Sequence, residues 1–305
     1  MTQADLALNG WLVVDKPQGL SSNRVVELVR RLTRTKVGHA GTLDPLATGV
    51  LPLALGEATK TVAYAMISSK RYRFRICWGV ARATDDCEGE IVGESTSRPS
   101  RDQIEAILPR FTGTILQAPP AYSAIKVDGR RAYALARAST PPALARRPVQ
   151  IIALRLIAMP DQDHSDCEAV VGKGTYIRAL ARDLAIALGT IGHVVALRRL
   201  TVGPFTESQA ISLDSIAECR HSLVDSGCLL PIETALENIP VLALTAAEAA
   251  RLRCGQRVTL EDVGERAHLH RLGEGTVVAA WHAQAVVALA RIDNGSLRPA
   301  RVINR

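Results

Sequence analysis

Residues 38–60, GHAGTLDPLATGVLPLALGEATK, decide how this chain can be interpreted. Asp44 lies there among glycine, threonine and proline residues, and the apolar segment 50–55 follows it. Loops rich in glycine and proline often carry binding and catalytic residues, and neighbouring strands hold such loops in place. The pattern therefore predicts a loop that presents the Asp44 carboxylate to a cleft, with a buried strand directly after it.

The pair Asp44-Pro45 has a second interpretation as an ordinary turn. An aspartate side chain accepts hydrogen bonds from nearby backbone N–H groups and proline fixes the next φ, so Asp-Pro is common in turns. The longer string separates the two interpretations, because no turn rule demands its residue order. It resembles the catalytic loop of the TruB family of tRNA pseudouridine synthases, in which G-H-x-G-T-L-D-P-x-A-x-G-x-L surrounds one essential aspartate. The resemblance implies that Asp44 is the catalytic carboxylate.

Three further strings resemble the same family. DKPQGLSS (15–22) follows K-P-x-G-x-[ST]-S, PPAYSAIK (119–126) follows P-P-x-Y-S-A-x-K, and GTYIR (174–178) stands at a predicted strand-to-helix junction. Together with the first string they cover most of residues 10–205. Beside Asp44, the resemblance implies a set of substrate-binding or site-supporting residues: Lys16, His39, Tyr72, Asp86, Lys126, Tyr176, Arg178 and Leu197.

Three of these residues have a chemistry that fits the implied role. Tyr72 matches the family tyrosine that stacks against the target base, and such stacking is worth about 1–3 kcal/mol. Arg178 is the natural partner of Asp44, because a guanidinium within a few Å lowers the pKa of a carboxylate and keeps it ionised. Asp86 matches the last aspartate of the family stretch T-x-T-x-D-x-x-G, but one threonine position is occupied otherwise. We expect Asp86 to organise the site rather than to donate a proton.

The other implied residues have ordinary structural interpretations as well. Lys16 alone would be a surface lysine, whereas the family places it close to the active site and its structural support. His39 would help to hold the distorted RNA loop, and Tyr176 projects from a helix start. Leu197 alone would be a core residue, whereas it matches an apolar residue that lines the family's base pocket.

The chain is basic, since Lys and Arg outnumber Asp and Glu by 37 to 30 and the isoelectric point is about 9.3. A basic surface attracts polyanions, although the excess alone does not identify nucleic acid as the partner. In the family, the segment at about 118–148 is an insertion that grips RNA, and the alternative is a solvated basic helix face. Its cations are interleaved with Tyr122 and Tyr133: Lys126, Arg130, Arg131, Arg137, Arg146 and Arg147.

The sequence does not indicate a metal site, a disulfide framework, a cofactor or a membrane segment. The six cysteines show no C-x-x-C spacing, so they predict neither a zinc site nor a disulfide framework and fit a reducing cytosol. His268 and His270 lack partners at ligand spacing and are expected at the surface. The sequence has no dinucleotide-binding fingerprint or P-loop, so no cofactor is expected. No leader or membrane-spanning run is evident, and we expect a cytoplasmic, monomeric protein.

The length of 305 residues allows one large domain and one small domain. The resemblance implies an α+β catalytic domain over 1–239, with a mixed, mainly antiparallel sheet flanked by helices. Periodicity predicts a strand at 70–80 and helices after Ser21 or Ser22 and over 56–68, while much of 212–240 is expected to be connective. Short strands, glycine turns and one helix predict a small β-barrel-like domain at 240–305, which resembles a PUA-type RNA-binding domain.

The resemblance implies isomerisation of the T-loop uridine of tRNA, position 55 in standard tRNA numbering, to pseudouridine. A stacked base must be flipped out before an enzyme can act on it. Asp44 would act as a nucleophile or as a proton-transfer group, at the sugar or at the base, and could stabilise an oxocarbenium-like state. Two alternatives remain open: an RNA-binding or RNA-folding protein without catalysis, and a related synthase that acts on another RNA.

Overall fold

The computed structural model describes residues 8–123, 126–127, 130–131, 144–218, 223, 227–260 and 272–304, with the backbone alone at 126–127 and 130–131. Up to residue 230 the described strands are β1 (Gly10–Lys16), β2 (Val37–His39), β3 (Thr48–Leu55), β4 (Lys70–Trp78), β5 (Val80–Arg82), β6 (Ile91–Glu94), β7 (Gly113–Gln117), β8 (Lys126–Val127), β9 (Arg130–Arg131), β10 (Arg147–Ala158), β11 (His164–Val171), β12 (Gly192–Val202), β13 (Phe205–Thr206) and β14 (Leu229–Leu230).

Ten of these strands form one sheet in the order β14-β1-β3-β12-β4-β11-β10-β7, with β2 paired to β3 and β13 paired to β12. Among the described pairs of this sheet, β3 and β12 alone run parallel. The mixed, mainly antiparallel sheet that we expected is therefore confirmed. The strands β5 and β6, and likewise β8 and β9, form separate two-stranded ribbons.

The described helices are α1 (Ser22–Thr33), α2 (Val62–Ile67), α3 (Arg101–Ile107), α4 (Ile177–Ala187), α5 (Leu213–Glu218) and α6 (Ala246–Arg253). Helix α1 begins as its sequence predicts, because the Ser21 hydroxyl accepts a hydrogen bond from the backbone N–H of Arg24 at 3.2 Å. Val25 and Val29 on its inner face are fully buried against the sheet.

The prediction of one helix over 56–68 is wrong for its first half, since Gly56–Thr61 is a 3-10 helix and only Val62–Ile67 is α-helical. The hydroxyls of Thr59 and Thr61 each donate to the carbonyl group three residues earlier, at 2.7 and 2.8 Å. Such local hydrogen bonds compete with the α-helical pattern and favour the tighter turn. Further 3-10 helices lie at Leu108–Phe111, Glu207–Gln209 and Ile232–Leu236.

The sheet is buried on both faces around β1 and β3. Successive side chains of a strand point to opposite faces, and in β1 Leu12 joins one apolar cluster while Trp11 joins the other. The first cluster packs under α1 and α4. The second includes Ala279 and Leu289 of the C-terminal domain, so the two domains share one apolar core.

The C-terminal domain is an open five-stranded sheet with α6 against it. Its strands are β15 (Val241–Ala243), β16 (Val258–Thr259), β17 (Val277–His282), β18 (Ala285–Asp293) and β19 (Ser296–Val302), in the order β15-β17-β18-β19-β16. This small, curled β-domain confirms the expected architecture. Polar contacts join it to the large domain, because Lys60 Nζ donates to the carbonyl of Val302 at 2.8 Å and the N–H of Asn304 donates to Glu57 Oε2 at 2.6 Å.

The expectation that 212–240 is largely connective is wrong for residues 229–236. Leu229 and Leu230 pair with β1 as the edge strand β14, and Ile232 and Leu236 are buried in the shared core. Short apolar runs of this kind have too few residues to show a strand or helix period. In the part of the chain that the structure describes, no helix combines the length and apolarity that crossing a bilayer requires.

Candidate active site

Asp44 lies at the centre of a network of hydrogen bonds that Arg178 organises. Arg178 Nε donates to Asp44 Oδ2 at 2.9 Å, although the two residues are far apart in sequence. Nη1 donates to the carbonyl of Thr84 at 2.7 Å, and Nη2 donates to the carbonyl of Tyr122 at 3.0 Å. The Arg178 side chain is 5% exposed, whereas that of Asp44 is 33% exposed. The guanidinium is thus buried, and the carboxylate that it holds is partly exposed to solvent.

Asp86 contacts Arg178 at a different nitrogen from Asp44. Its Oδ2 lies 3.3 Å from Arg178 Nη1, its Oδ1 accepts hydrogen bonds from the Thr84 hydroxyl and the Glu88 N–H, and the residue is 3% exposed. Burial acts to lower the pKa of Arg178, but Asp44 and Asp86 outweigh it and the pKa is raised above its usual value. Asp86 is therefore buried beside Arg178, an arrangement consistent with the organising role that remains a prediction for it.

The loop that carries Asp44 is also fixed from the side of α1. The buried Ser22 hydroxyl donates a hydrogen bond to the carbonyl of Leu43 at 3.0 Å and accepts one from the N–H of the same residue at 2.8 Å. Lys16 Nζ donates to the carbonyls of Pro17, Leu20 and Pro45 at 2.9, 2.7 and 3.2 Å. Both residues flanking Asp44, Leu43 and Pro45, are therefore held by side chains of the string 15–22.

Lys16 has no exposed surface, and its ammonium group is occupied by those three backbone carbonyls. The geometry makes it a positioning residue for the loop rather than a ligand for the substrate. Burial lowers the pKa of Lys16 to about 8; Asp44 opposes this effect and Arg199 adds to it. The positive charge of Lys16 is thus held close to Asp44, at a position where burial disfavours the charged form.

Arg199 is a positioning residue that sequence analysis missed. It is 1% exposed, and its Nε donates to the carbonyl of Val50 at 2.8 Å. Its Nη2 and Nη1 donate to the carbonyls of Gly41 and Thr42, at 3.0 and 3.4 Å. One guanidinium therefore ties together the two ends of the Asp44 loop. Gly41 lies at φ 110°, in the region that favours glycine, with Arg199 Nη1 beside the position that a Cβ would take.

His39 lies on β2, at the start of the loop. Burial, and then the charge of Arg199, lower the pKa of the imidazole below its usual value, so it is neutral at pH 7. Its Nδ1 atom is buried and has no hydrogen-bond partner in the described structure. A neutral ring with a free nitrogen can take a polar group of a ligand, which agrees with the role expected for His39 without testing it.

Tyr72 and Leu197 lie on the sheet face that supports the Asp44 loop. In the β4–β12 ladder Tyr72 is paired with Arg199 and Leu197 with Phe74, and paired residues of an antiparallel ladder point to the same face. Tyr72 is 9% exposed and Leu197 is 7% exposed. The two residues predicted to contact the base therefore lie on the same face of the sheet as Arg199.

Tyr176 is held at the start of α4, two residues before Arg178. The side-chain amide of Gln117, itself buried, accepts from the Tyr176 N–H at 2.8 Å and donates to its carbonyl at 3.1 Å. The Arg147 guanidinium carbon lies 5.5 Å from the centre of the Tyr176 ring, within the range of a cation–π contact. Arg147, one of the cations of the basic segment 118–148, thus contacts Tyr176, which is a predicted site residue.

The remaining predictions lie partly outside the described residues. The backbone of Lys126 is in β8, but its side chain lies outside the description, as do Tyr133, His268 and His270. Within the described residues, no three His, Cys, Asp or Glu side chains come together in a way that could hold a metal ion.

Two family models match consecutive parts of the chain. The N-terminal domain model of the TruB family pseudouridylate synthases matches residues 29–177, and the C-terminal domain model of tRNA pseudouridylate synthase B matches 178–237. The boundary between the models falls inside α4 and separates Asp44 from Arg178. It does not coincide with the structural boundary, because β12 and β14 belong to the same sheet as β1.

Relatives and solved structures agree with this match. A protein of Rhodospirillum rubrum named tRNA pseudouridine synthase B is 52% identical over 299 residues, covering 98% of this chain and 97% of the relative. One of the same name from Caulobacter vibrioides is 49% identical over 298 residues, covering 97% and 96%. The crystal structure of an archaeal box H/ACA sRNP Nop10-Cbf5 complex shares the fold, with a TM-score of 0.74 at 23% identity over 98% of this chain and 87% of that one. The chain belongs to the TruB family of pseudouridylate synthases.

Proposed function

We propose that this chain converts the T-loop uridine of tRNA, position 55 in standard tRNA numbering, to pseudouridine, with Asp44 as the catalytic carboxylate. The observation that carries the proposal is the contrast around Asp44. Its carboxylate is the partly exposed charged group of a network whose other two charged groups, Arg178 and Asp86, are buried. A network built to hold one accessible carboxylate is what a reaction at a bound nucleotide requires.

The reaction breaks the bond between N1 and C1′, turns the uracil and joins C5 to C1′. The hydrogen on C5 leaves as a proton, and N1 gains one, so the product is an isomer of the substrate. A carboxylate beside C1′ can form a bond to that carbon or stabilise positive charge that develops there, and beside the base it can transfer the proton. Arg178 remains charged throughout and keeps the Asp44 carboxylate in one orientation.

The target base must leave its stack before Asp44 can reach the nucleotide. We expect the flipped base to lie against Tyr72 and Leu197, because both residues are on the sheet face that supports the Asp44 loop. The tyrosine ring offers a stacking surface and the leucine an apolar contact. His39 would contact the displaced part of the RNA loop through the exposed part of its ring, since its Nδ1 atom is buried.

The basic character of the chain fits a polyanionic substrate, and the excess of cations is 37 − 30 = 7. We propose that residues 1–239 form the catalytic domain, that 118–148 grips the T-arm, and that 240–305 is a second RNA-binding domain of the PUA type. The shared apolar core and the contacts of Lys60 and Glu57 with the C-terminal strand would keep the two RNA-binding surfaces at a fixed separation.

The test uses an unmodified tRNA transcript and a second transcript in which only the T-loop uridine is replaced by cytidine. After incubation with the protein, pseudouridine is mapped by carbodiimide-dependent stops of primer extension. We expect one strong stop at the T-loop uridine of the first transcript and no stop at the corresponding position of the second. A protein that binds the first transcript but leaves every uridine unchanged would reject the proposal and favour a binding protein. A ribosomal RNA transcript is assayed in parallel, and stops in that RNA without a stop in the tRNA would favour a synthase with another substrate.

A further inference from the structure

Ser123 carries a buried hydroxyl group that has no hydrogen-bond partner in the described structure. The residue is 4% exposed, and its Oγ atom forms no hydrogen bond with any of the described residues. Buried polar groups are almost always satisfied, because leaving one unsatisfied costs the free energy of its lost hydration. Other buried atoms among the described residues are also unpaired, including the indole nitrogens of Trp11 and Trp281 in the shared core, so an unpaired group indicates a ligand only in combination with its position.

The other buried serines among the described residues are satisfied. Ser22 bonds to the backbone of Leu43, and Ser165 accepts a hydrogen bond from the indole Nε1 of Trp78 at 2.9 Å. The fold thus provides partners for buried serines where the structure alone needs them. Ser123 departs from this pattern, and it does so next to the active site.

The position of Ser123 relative to Asp44 follows from the bonds of Arg178. Nε donates to Asp44 Oδ2 at 2.9 Å and Nη2 donates to the carbonyl of Tyr122 at 3.0 Å. Nε and Nη2 form one edge of the planar guanidinium, so the carboxylate of Asp44 and the carbonyl of Tyr122 are neighbouring acceptors on that edge. Ser123 directly follows Tyr122, so its backbone lies one peptide unit from a carbonyl that shares the Arg178 guanidinium with Asp44.

We propose that the Ser123 hydroxyl hydrogen-bonds the flipped target uridine and so completes the binding site for the reacting nucleotide. This inference rests on the proposed function. A hydroxyl both donates and accepts, so it can bond the carbonyl and N–H edge of uracil or a hydroxyl of the ribose. The bond exists only in the complex, which explains why the free protein retains an unsatisfied group at this place.

Loss of the Ser123 hydroxyl is expected to lower the rate of conversion moderately and to leave tRNA affinity and thermal stability nearly unchanged. Phosphate contacts dominate the affinity for RNA, so we expect Ser123→Ala to bind tRNA within about twofold of wild type. The rate of conversion with saturating enzyme should fall about 3- to 10-fold, as for the loss of one hydrogen bond. The melting temperature should stay the same or rise, because the variant no longer buries an orphan hydroxyl.

The experiment compares three variants with wild type in single-turnover assays on the unmodified transcript, together with tRNA affinity and thermal unfolding. Ser123→Ala removes the hydroxyl. Ser123→Cys keeps the volume but replaces the hydroxyl by a weak hydrogen-bonding group, and should lose the same factor. The matched control is Ser165→Ala, which leaves the buried Trp78 indole unpaired and should lower the melting temperature without changing the rate well below that temperature.

Opposite patterns for the two serines would support the inference. A Ser123→Ala rate within experimental error of wild type would overturn it, and so would a full rate for Ser123→Cys beside a loss for Ser123→Ala, since packing would then explain the effect. If the wild type itself leaves the T-loop uridine unchanged, the proposed function fails and this inference fails with it. An active wild type with unaffected serine variants removes the inference alone.

Discussion

Arg198 and Arg199 are neighbours in β12 and serve opposite faces of the same sheet. Arg198 is 38% exposed in its side chain and forms ion pairs with Asp15 and Glu207, at 3.0 and 2.6 Å. Arg199 is 1% exposed, and its described hydrogen bonds go to backbone carbonyls of the Asp44 loop. The same residue type thus forms solvated salt bridges on one face and fixes the candidate active site on the other.

The exposed face is rich in such pairs. Arg75 donates two hydrogen bonds to Asp166, of 2.6 and 2.8 Å, and both side chains are partly exposed. Arg155 donates to Glu168 at 2.7 Å, and there only the arginine is exposed, because the Glu168 side chain is buried. Exposed pairs contribute about 0–1 kcal/mol each and are weakened by salt. On the buried face, Lys16, Arg178 and Arg199 are held mainly by carbonyl groups and by the few carboxylates near Asp44. We infer that burial and bonding partners, rather than the number of charges, distinguish the functional face.

The largest effect is expected for Asp44→Asn, which keeps the shape of the side chain and removes its charge. We expect the single-turnover rate to fall at least about 1,000-fold, because the group that acts on the nucleotide is lost. The affinity for tRNA should change little, since phosphate contacts are untouched. The control is Asp166→Asn on the exposed face, with a rate near wild type. Similar rates for Asp44→Asn and the control would contradict the assignment.

Arg178→Lys should produce the next largest loss, about 100-fold in kcat/KM. A lysine keeps the charge, but its ammonium cannot reproduce the planar set of bonds to Asp44, Thr84 and Tyr122, and a small displacement of a catalytic group costs about this factor. Arg75→Lys is the matched control and should stay within about twofold of wild type. Equal kinetics of the two variants would show that the charge of residue 178 suffices without its geometry.

A smaller effect concerns Lys16 and the pH dependence of stability. Its pKa is about 8 in the folded protein and 10.5 in the absence of burial. Between these values the unfolded chain binds a proton that the folded chain has released, so the free energy of unfolding gains a term that rises with pH. Below pH 8 both states are protonated and the cost of burying the charge is fully present.

The test compares urea unfolding of wild type and Lys16→Met below pH 8 and at about pH 10. Groups common to both proteins cancel in the difference. We expect the free energy of unfolding of wild type to rise relative to that of the variant as the pH increases through this window. A constant difference, or one of opposite sign, would show that the ammonium group of Lys16 is not destabilised by its burial.

The sequence could predict Asp44, Arg178 and their partnership, because both lie in long strings with a specific residue order. It could not predict Arg199, since two adjacent arginines in a strand look like solvated surface residues. One signal was available: Leu197 and Arg199 are two residues apart and therefore share a face, and Leu197 was expected to be buried. Bonds from a side chain to a distant backbone carbonyl leave no periodic trace, which also explains why Gln117 and its contacts with Tyr176 were missed.

The roles of Lys16 and Ser123 show the same limit. The strings that contain them were recognisable, but whether a side chain supports a loop or faces the nucleotide depends on burial and on the bonds that are left open. Periodicity and composition carry no information on either. The regular elements were easier to predict, since β4 alternates and α1 has both a helical period and a serine cap.

The most direct test of the central claim, that buried cations position the Asp44 loop, is the ratio of kcat/KM for Arg199→Lys and Arg198→Lys. Both variants keep the charge on neighbouring residues of one strand, and both are assayed where circular dichroism shows them to be folded. We expect Arg198→Lys to stay within about twofold of wild type and Arg199→Lys to fall about 10- to 100-fold, because the two ends of the loop lose their common support. Equal activities of the two variants would contradict the account.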